Sequence, residues 1–163
     1  VLVGGHRMHS HIGHAPEIGH ITIKKDGNKC ICGNRGCLET YVNSDIIRNK
    51  LREATGLDYS FEEFMHMKQD ENFKKIMREQ IECLSAGIIS VQNMLNSQII
   101  ILALDCCFWP DWCIQEIEEK VNERKFNGKD TIVPVVKPYF LQNVQVLGAA
   151  TNAISRVFRG ELI

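Results

Sequence analysis

The residues best suited to chemistry are gathered in one stretch, Cys30-Ile31-Cys32-Gly33-Asn34-Arg35-Gly36-Cys37. Three thiols fall within it, and the two glycines between them let the backbone fold tightly around one point. Thiolate sulfur and imidazole nitrogen are the ligands zinc prefers, and a closed structural site needs four of them. The fourth must come from elsewhere. His20, ten residues before Cys30 at the end of Glu17-Ile18-Gly19-His20, is the candidate. Three thiolates and a neutral imidazole around a divalent ion leave a net charge of about −1, which Arg35 inside the loop is placed to offset. With no open coordination position, such an ion holds structure and does not activate water. The competing reading is three core cysteines beside a turn, for which Cys-x-Cys-Gly followed by Gly-Cys is poor patterning.

Two other groups of potential ligands need separate readings. His6, His9, His11 and His14 form a rival cluster, but no thiolate or carboxylate accompanies them at ligand spacing, so they read as a solvated loop. Cys83 falls on a long helical pattern, and Cys106, Cys107 and Cys113 flank a predicted buried strand; core packing is their expected role. The odd total of seven cysteines, without a visible secretory signal, argues against a disulfide framework.

The elements that must position the cysteine loop can be read from periodicity. Glu17–Lys25 alternates like a strand, and Ser44 reads as the N-cap of a helix closed by Gly56. Ser60-Phe61-Glu62-Glu63 has the form of a capping box opening a short helix. Apolar residues from Phe73 to Leu95 step by three and four, which predicts one long helix over about 72–96 with a buried face. Ile99–Leu104 reads as a fully buried strand, followed by a helix over about 111–125, a strand over 131–136 and a last helix containing Gly148-Ala149-Ala150. Alternating helices and strands imply crossover connections and an α/β fold with an appended metal-bound loop. The 44% hydrophobic and 24% charged composition is that of an ordinary globular domain, and a net charge of −1 without a basic cluster offers no nucleic-acid surface. No apolar run reaches membrane-spanning length, and the cytoplasm is the expected compartment. The opening Val1-Leu2-Val3-Gly4-Gly5, without Met, reads as a cut into a strand and its turn, and so as a piece of a larger protein.

Ala15-Pro16-Glu17-Ile18-Gly19-His20 followed by Cys30-x-Cys32-Gly33-x-x-Gly36-Cys37-Leu38-Glu39 closely resembles the signature of the ROK family of sugar kinases and sugar-responsive repressors. Asn96–Leu104 and Leu147-Gly148-Ala149-Ala150 continue the likeness more weakly. The resemblance implies a ribonuclease H-like, actin-like two-lobed fold. Residues 1–163 would be its C-terminal lobe, with the N-terminal lobe absent and residues 17–39 as the sugar-contact and zinc-binding segment. It also implies that Glu17, His20 and Glu39 bind sugar hydroxyls, with His20 using one ring nitrogen for zinc and the other for the sugar.

Departures from the family pattern bear on activity. The resemblance gives kinases an Asp-x-Gly-Gly-Thr phosphate strand and a catalytic Asp, and no Asp of this chain precedes Glu17. Family kinases commonly carry Gly-Gly where this chain has Ala103-Leu104-Asp105-Cys106. Pro16 replaces a usual Gly, which stiffens the backbone before Glu17, and Ser97 stands where a Pro is usual. The expected function is therefore the zinc-containing, sugar-binding effector domain of a transcriptional regulator, reaching DNA only through an absent N-terminal domain and assembling as a dimer or tetramer. The alternative is the C-terminal lobe of an ATP- and Mg-dependent sugar kinase.

Overall fold

A computed structural model describes residues 2–3, 6–7, 16–67, 69–126, 128, 131–139 and 144–160. Strands β1 (Leu2–Val3) and β2 (His6–Arg7) pair antiparallel. Of the four-histidine segment, His9, His11 and His14 lie outside the described residues. Helices α1 (Glu39–Val42), α2 (Ser44–Thr55), α3 (Phe61–His66) and α4 (Glu71–Leu95) follow, then β3 (Ile100–Ile101), α5 (Asp111–Arg124), β4 (Val135–Val136) and α6 (Val144–Phe158).

The helices form where local signals are strong. The Asn43 side chain, one residue before the expected Ser44, accepts from Asp45 N–H to cap α2, and Gly56 closes it in the left-handed region. The Ser60–Glu63 capping box opens α3 with both of its reciprocal bonds. Asp70 caps α4 by accepting from Phe73 N–H at 2.8 Å. At the far end Asn96 turns left-handed, and the buried Gln92 amide both accepts from and donates to the Ser97 backbone.

The core lies around α4. Its buried face of Phe73, Met77, Ile81, Leu84 and Ile88 meets Ile47 and Leu51 of α2 and Ile117 and Val121 of α5. Each large apolar side chain fully withdrawn from water contributes about 1.5–3 kcal/mol. Trp109, Cys107 and Cys113 are buried, and burial pushes the Cys106 and Cys113 thiols up to about 12, so the core role expected for these cysteines holds. On the solvent side, Glu82 of α4 accepts from Lys120 (2.6 Å) and Arg124 (2.8 Å) of α5.

The strands are shorter than periodicity suggests. β3 and β4 pair in parallel through Ile100↔Val135 and Ile101↔Val136, with α5 as the crossover that a parallel pair requires. The expected buried strand Ile99–Leu104 is reduced to two residues, and Ile99 and Ile101 are 50% and 56% exposed. The expected strand at 131–136 is likewise confined to its end. There α5 substitutes for a neighbouring strand: the Asn122 amide bonds both backbone groups of Val133, and Glu118 accepts from Val135 N–H. Glu17–Lys25 is not a strand. Ile18–His20 forms a single 3₁₀ turn and the chain turns again at Lys24–Gly27, because the segment must reverse to return beside the cysteines.

Candidate metal centre

The cysteine loop is held by its own backbone and by α4 beneath it. Cys30 N–H donates to the Asn34 carbonyl, Gly33 N–H to the Cys30 carbonyl and Gly36 N–H to the Asn28 carbonyl. Gly36 has φ +73, and a Cβ there would overlap the Lys24 carbonyl. Thr22 and Cys37 form a bridge, and Leu38 N–H donates to the Ile21 carbonyl, so the segment ending in His20 is stitched alongside the loop. Leu38 is buried against Gly87 of α4, where an added Cβ would lie 2.6 Å from Leu38 Cδ2. The Tyr41 hydroxyl accepts from Asn28 N–H, bracing the loop from α1. None of these bracing contacts is announced by spacing, and the packing of Leu38 on Gly87 exists only once α4 is in place.

The result brings His20, Cys30, Cys32 and Cys37 together, with one donor atom of each within 4.8 Å of the others. Cys30 Sγ lies 3.6 Å from His20 Nδ1, and Cys32 Sγ lies 3.6 Å from Cys37 Sγ. Zinc–sulfur bonds of about 2.3 Å and zinc–nitrogen bonds of about 2.0 Å at tetrahedral angles separate such donors by about 3.5–3.8 Å. The four residues thus fit a closed tetrahedral cation site, as their types and spacing suggest. The hydrogen bond made by the Arg35 guanidinium goes to the Gly27 carbonyl, not to a sulfur, so the expected offset of thiolate charge is not a direct contact.

The thiols feel different surroundings. Beside Cys30 the Cys32 backbone amide favours the thiolate, but the Glu39 carboxylate, burial and the other thiols outweigh it and push Cys30 up to about 12. Cys32 is lowered, first by the Asn34 backbone amide. Burial, then the Cys32 side chain, raises Cys37. A divalent cation would reverse the upward shifts, because thiolate is the ligand.

Glu17 and Glu39 flank His20 on its two ring nitrogens. Nε2 is 3.1 Å from Glu17 Oε2, and Nδ1 is 3.7 Å from Glu39 Oε1, which also accepts from the Cys30 thiol at 3.1 Å. The side chains of Glu17, His20 and Glu39 are 62%, 31% and 37% exposed, so a small polar molecule can reach all three. The Glu39–Cys30 contact could not be read from the sequence.

Leu104, at the expected departure from the kinase pattern, has φ +59, a left-handed backbone that glycine adopts freely and leucine rarely.

Comparison with known proteins agrees with this architecture. The chain is 23% identical to the xylose repressor of Bacillus subtilis (strain 168) over 156 residues, 94% of this chain and 40% of the repressor. It is 23% identical to the glucokinase of Thermotoga maritima over 173 residues, 96% of this chain and 55% of the glucokinase. The chain therefore spans about half the length, or less, of the relatives it matches. The ROK hexokinase from Thermus thermophilus superposes with a TM-score of 0.79 at 19% identity, over 97% of this chain and 53% of that one, and shares the α/β, ribonuclease H-like (actin-like) fold. A model of the ROK family matches residues 1–156, and the chain belongs to that family.

Proposed function

We propose that this chain is the sugar-binding, zinc-containing effector lobe of a ROK-family transcriptional regulator, the N-terminal lobe and DNA-binding domain lying elsewhere in the full protein. The observation that carries this reading is the convergence of Glu17 and Glu39 on the two ring nitrogens of His20, itself beside the cysteine cluster. Carboxylates accept from sugar hydroxyls, and a polar pocket built for hydroxyls rejects ligands that leave its groups unpaired. His20 Nδ1 is turned toward Cys30, which suits the metal, and Nε2 is turned toward Glu17, which suits a hydroxyl shared with that carboxylate. A bound zinc ion supplies structure here: it would fix the imidazole plane and hold the loop that carries Glu39. Sugar binding that differs between two lobe arrangements would shift the population of the DNA-competent form.

Leu104 favours a regulator over a kinase. It is 56% exposed on a left-handed backbone that glycine adopts freely, at the position where the resemblance implies Gly-Gly beside the nucleotide in family kinases. The kinase reading, supported by the likeness to the Thermotoga maritima glucokinase, would add ATP and Mg to the ligands.

The test is calorimetric titration of the zinc-loaded full-length protein with xylose and glucose, before and after Glu17→Gln. The variant is expected to weaken sugar binding while zinc content stays at one ion per chain. Unaltered sugar affinity in the variant refutes the assigned role, and magnesium-dependent ATP binding by the parent protein would move the reading to the kinase branch.

A further inference from the structure

We infer that Cys32 and Cys37 form a peroxide-sensitive thiol pair that closes to a disulfide when no metal is bound, while Cys30 stays reduced. The inference rests on the metal-centre reading only in that the ion guards the pair. Three thiols in one loop allow three pairings, and the geometry selects one. Cys32 Sγ lies 3.6 Å from Cys37 Sγ, whereas Cys30 Sγ, though within 4.8 Å of both, is engaged by Glu39 Oε1 at 3.1 Å and by His20 Nδ1 at 3.6 Å. The two members of the pair also divide the work by exposure. Cys32 is exposed and can meet an oxidant, while Cys37 is fully buried and fixed by the Thr22 bridge.

Closing the gap to a disulfide of about 2.05 Å asks one sulfur to move by about 1.5 Å. The movable side is Cys32. It sits at the apex of the turn closed by Gly33 N–H and the Cys30 carbonyl, next to Ile31, which is 97% exposed and packs on nothing that would resist the shift.

The chemistry balances with hydrogen peroxide as the oxidant. The Cys32 sulfur attacks one peroxide oxygen, the O–O bond breaks, and the products are a Cys32 sulfenic acid and water. The Cys37 sulfur then attacks Cys32 sulfur, the S–S bond forms as the S–O bond breaks, and the hydroxyl leaves with the Cys37 proton as a second water. Two thiols lose two electrons to one peroxide. Coordination draws electron density from each sulfur to the metal and holds both sulfurs at ligand positions, so the loaded loop reacts more slowly.

Trypsin cuts after Lys29, Arg35 and Arg48, which places Cys30 and Cys32 in peptide 30–35 and Cys37 alone in peptide 36–48. The experiment treats zinc-loaded and chelator-stripped chain with hydrogen peroxide, blocks remaining thiols with iodoacetamide in denaturant, and maps the peptides by mass spectrometry. The stripped chain should yield 30–35 joined to 36–48 with Cys30 alkylated, and the loaded chain should form that link more slowly at the same peroxide concentration. A bond internal to 30–35, or three free thiols in the stripped chain, overturns the pairing. Cys37→Ser should halt at a Cys32 sulfenic acid trapped by dimedone; should that variant not fold, Cys30→Ser must still give the joined peptides. Zinc content measured alongside separates the two readings. A chain that binds no zinc yet forms the link refutes the metal centre and supports the thiol pair, whereas one that binds zinc but forms no link when stripped refutes the thiol pair alone.

Discussion

Gly36 offers a sharp test of how the loop presents its ligands. Gly36→Ala places a Cβ on a backbone with φ +73, a left-handed conformation that costs about 1–2 kcal/mol for an L side chain. The new carbon also overlaps the Lys24 carbonyl and lies 2.6 Å from its carbon, and this neighbour is backbone that cannot rotate aside. The strands of the loop must therefore separate, which opens Ile23 N–H to Gly36 carbonyl (2.9 Å) and Gly36 N–H to Asn28 carbonyl (2.8 Å). Each such bond is worth about 1 kcal/mol net. With the conformational term, closing the loop becomes harder by about 3–4 kcal/mol, a fall in metal affinity of two to three orders of magnitude at about 1.4 kcal/mol per tenfold. Gly33→Ala is the matched control. Gly33 has φ +91, but no atom lies within 4 Å of its added Cβ, so only the conformational cost applies and the loss is about tenfold. Competition with a chromophoric zinc chelator measures both, with far-UV circular dichroism as a check that the helices persist. If Gly36→Ala binds zinc as tightly as Gly33→Ala, the argument that the Lys24 contact closes the loop is wrong.

Leu104→Gly relieves a left-handed leucine costing about 1–2 kcal/mol but loosens the unfolded chain by about 0.4–1 kcal/mol, so the urea midpoint should rise slightly at unchanged slope; a clear fall would show that the Leu104 side chain packs usefully. Glu82→Gln should cost no more than about 1 kcal/mol at neutral pH, since the pair with Arg124 and Lys120 is solvent-screened. The hydrogen bond from Arg124, then that from Lys120, holds the Glu82 carboxyl below its ordinary range. Its contribution is therefore complete above an unfolded pKa of about 4.3 and is lost as pH falls through the lower folded value. The difference between parent and variant in denaturant midpoint should shrink below about pH 4, and a difference that grows on acidification would refute the assignment.

Helices and the clustering of the candidate ligands were legible in the sequence because both are local. The spacing from Phe73 to Leu95 and the Ser60–Glu63 box need no knowledge of the rest of the chain, and neither does the clustering of Cys30, Cys32 and Cys37. His20 could be matched to them because ten residues with a turn at Lys24–Gly27 are enough to come back. The strands were misjudged because pairing is not local. Alternation in Glu17–Lys25 reflects a 3₁₀ turn and bends with Ile18 41% exposed, and Ile99–Leu104 finds a partner for only two residues. Leu38 against Gly87 and Glu39 against Cys30 join positions whose relation appears only when the fold is assembled.

The compactness of the donor set along the chain has a consequence for biosynthesis. All four donors lie between His20 and Cys37, so the loops that a metal must close are short and their closure entropy is small. They leave the ribosome before Gly87 of α4, whose packing on Leu38 braces the finished loop. A nascent chain can thus capture its ion first and be clamped afterwards. On the proposed metal-centre reading, metal supply acts during translation, and a chain completed without its ion must admit one through a loop that α4 already braces.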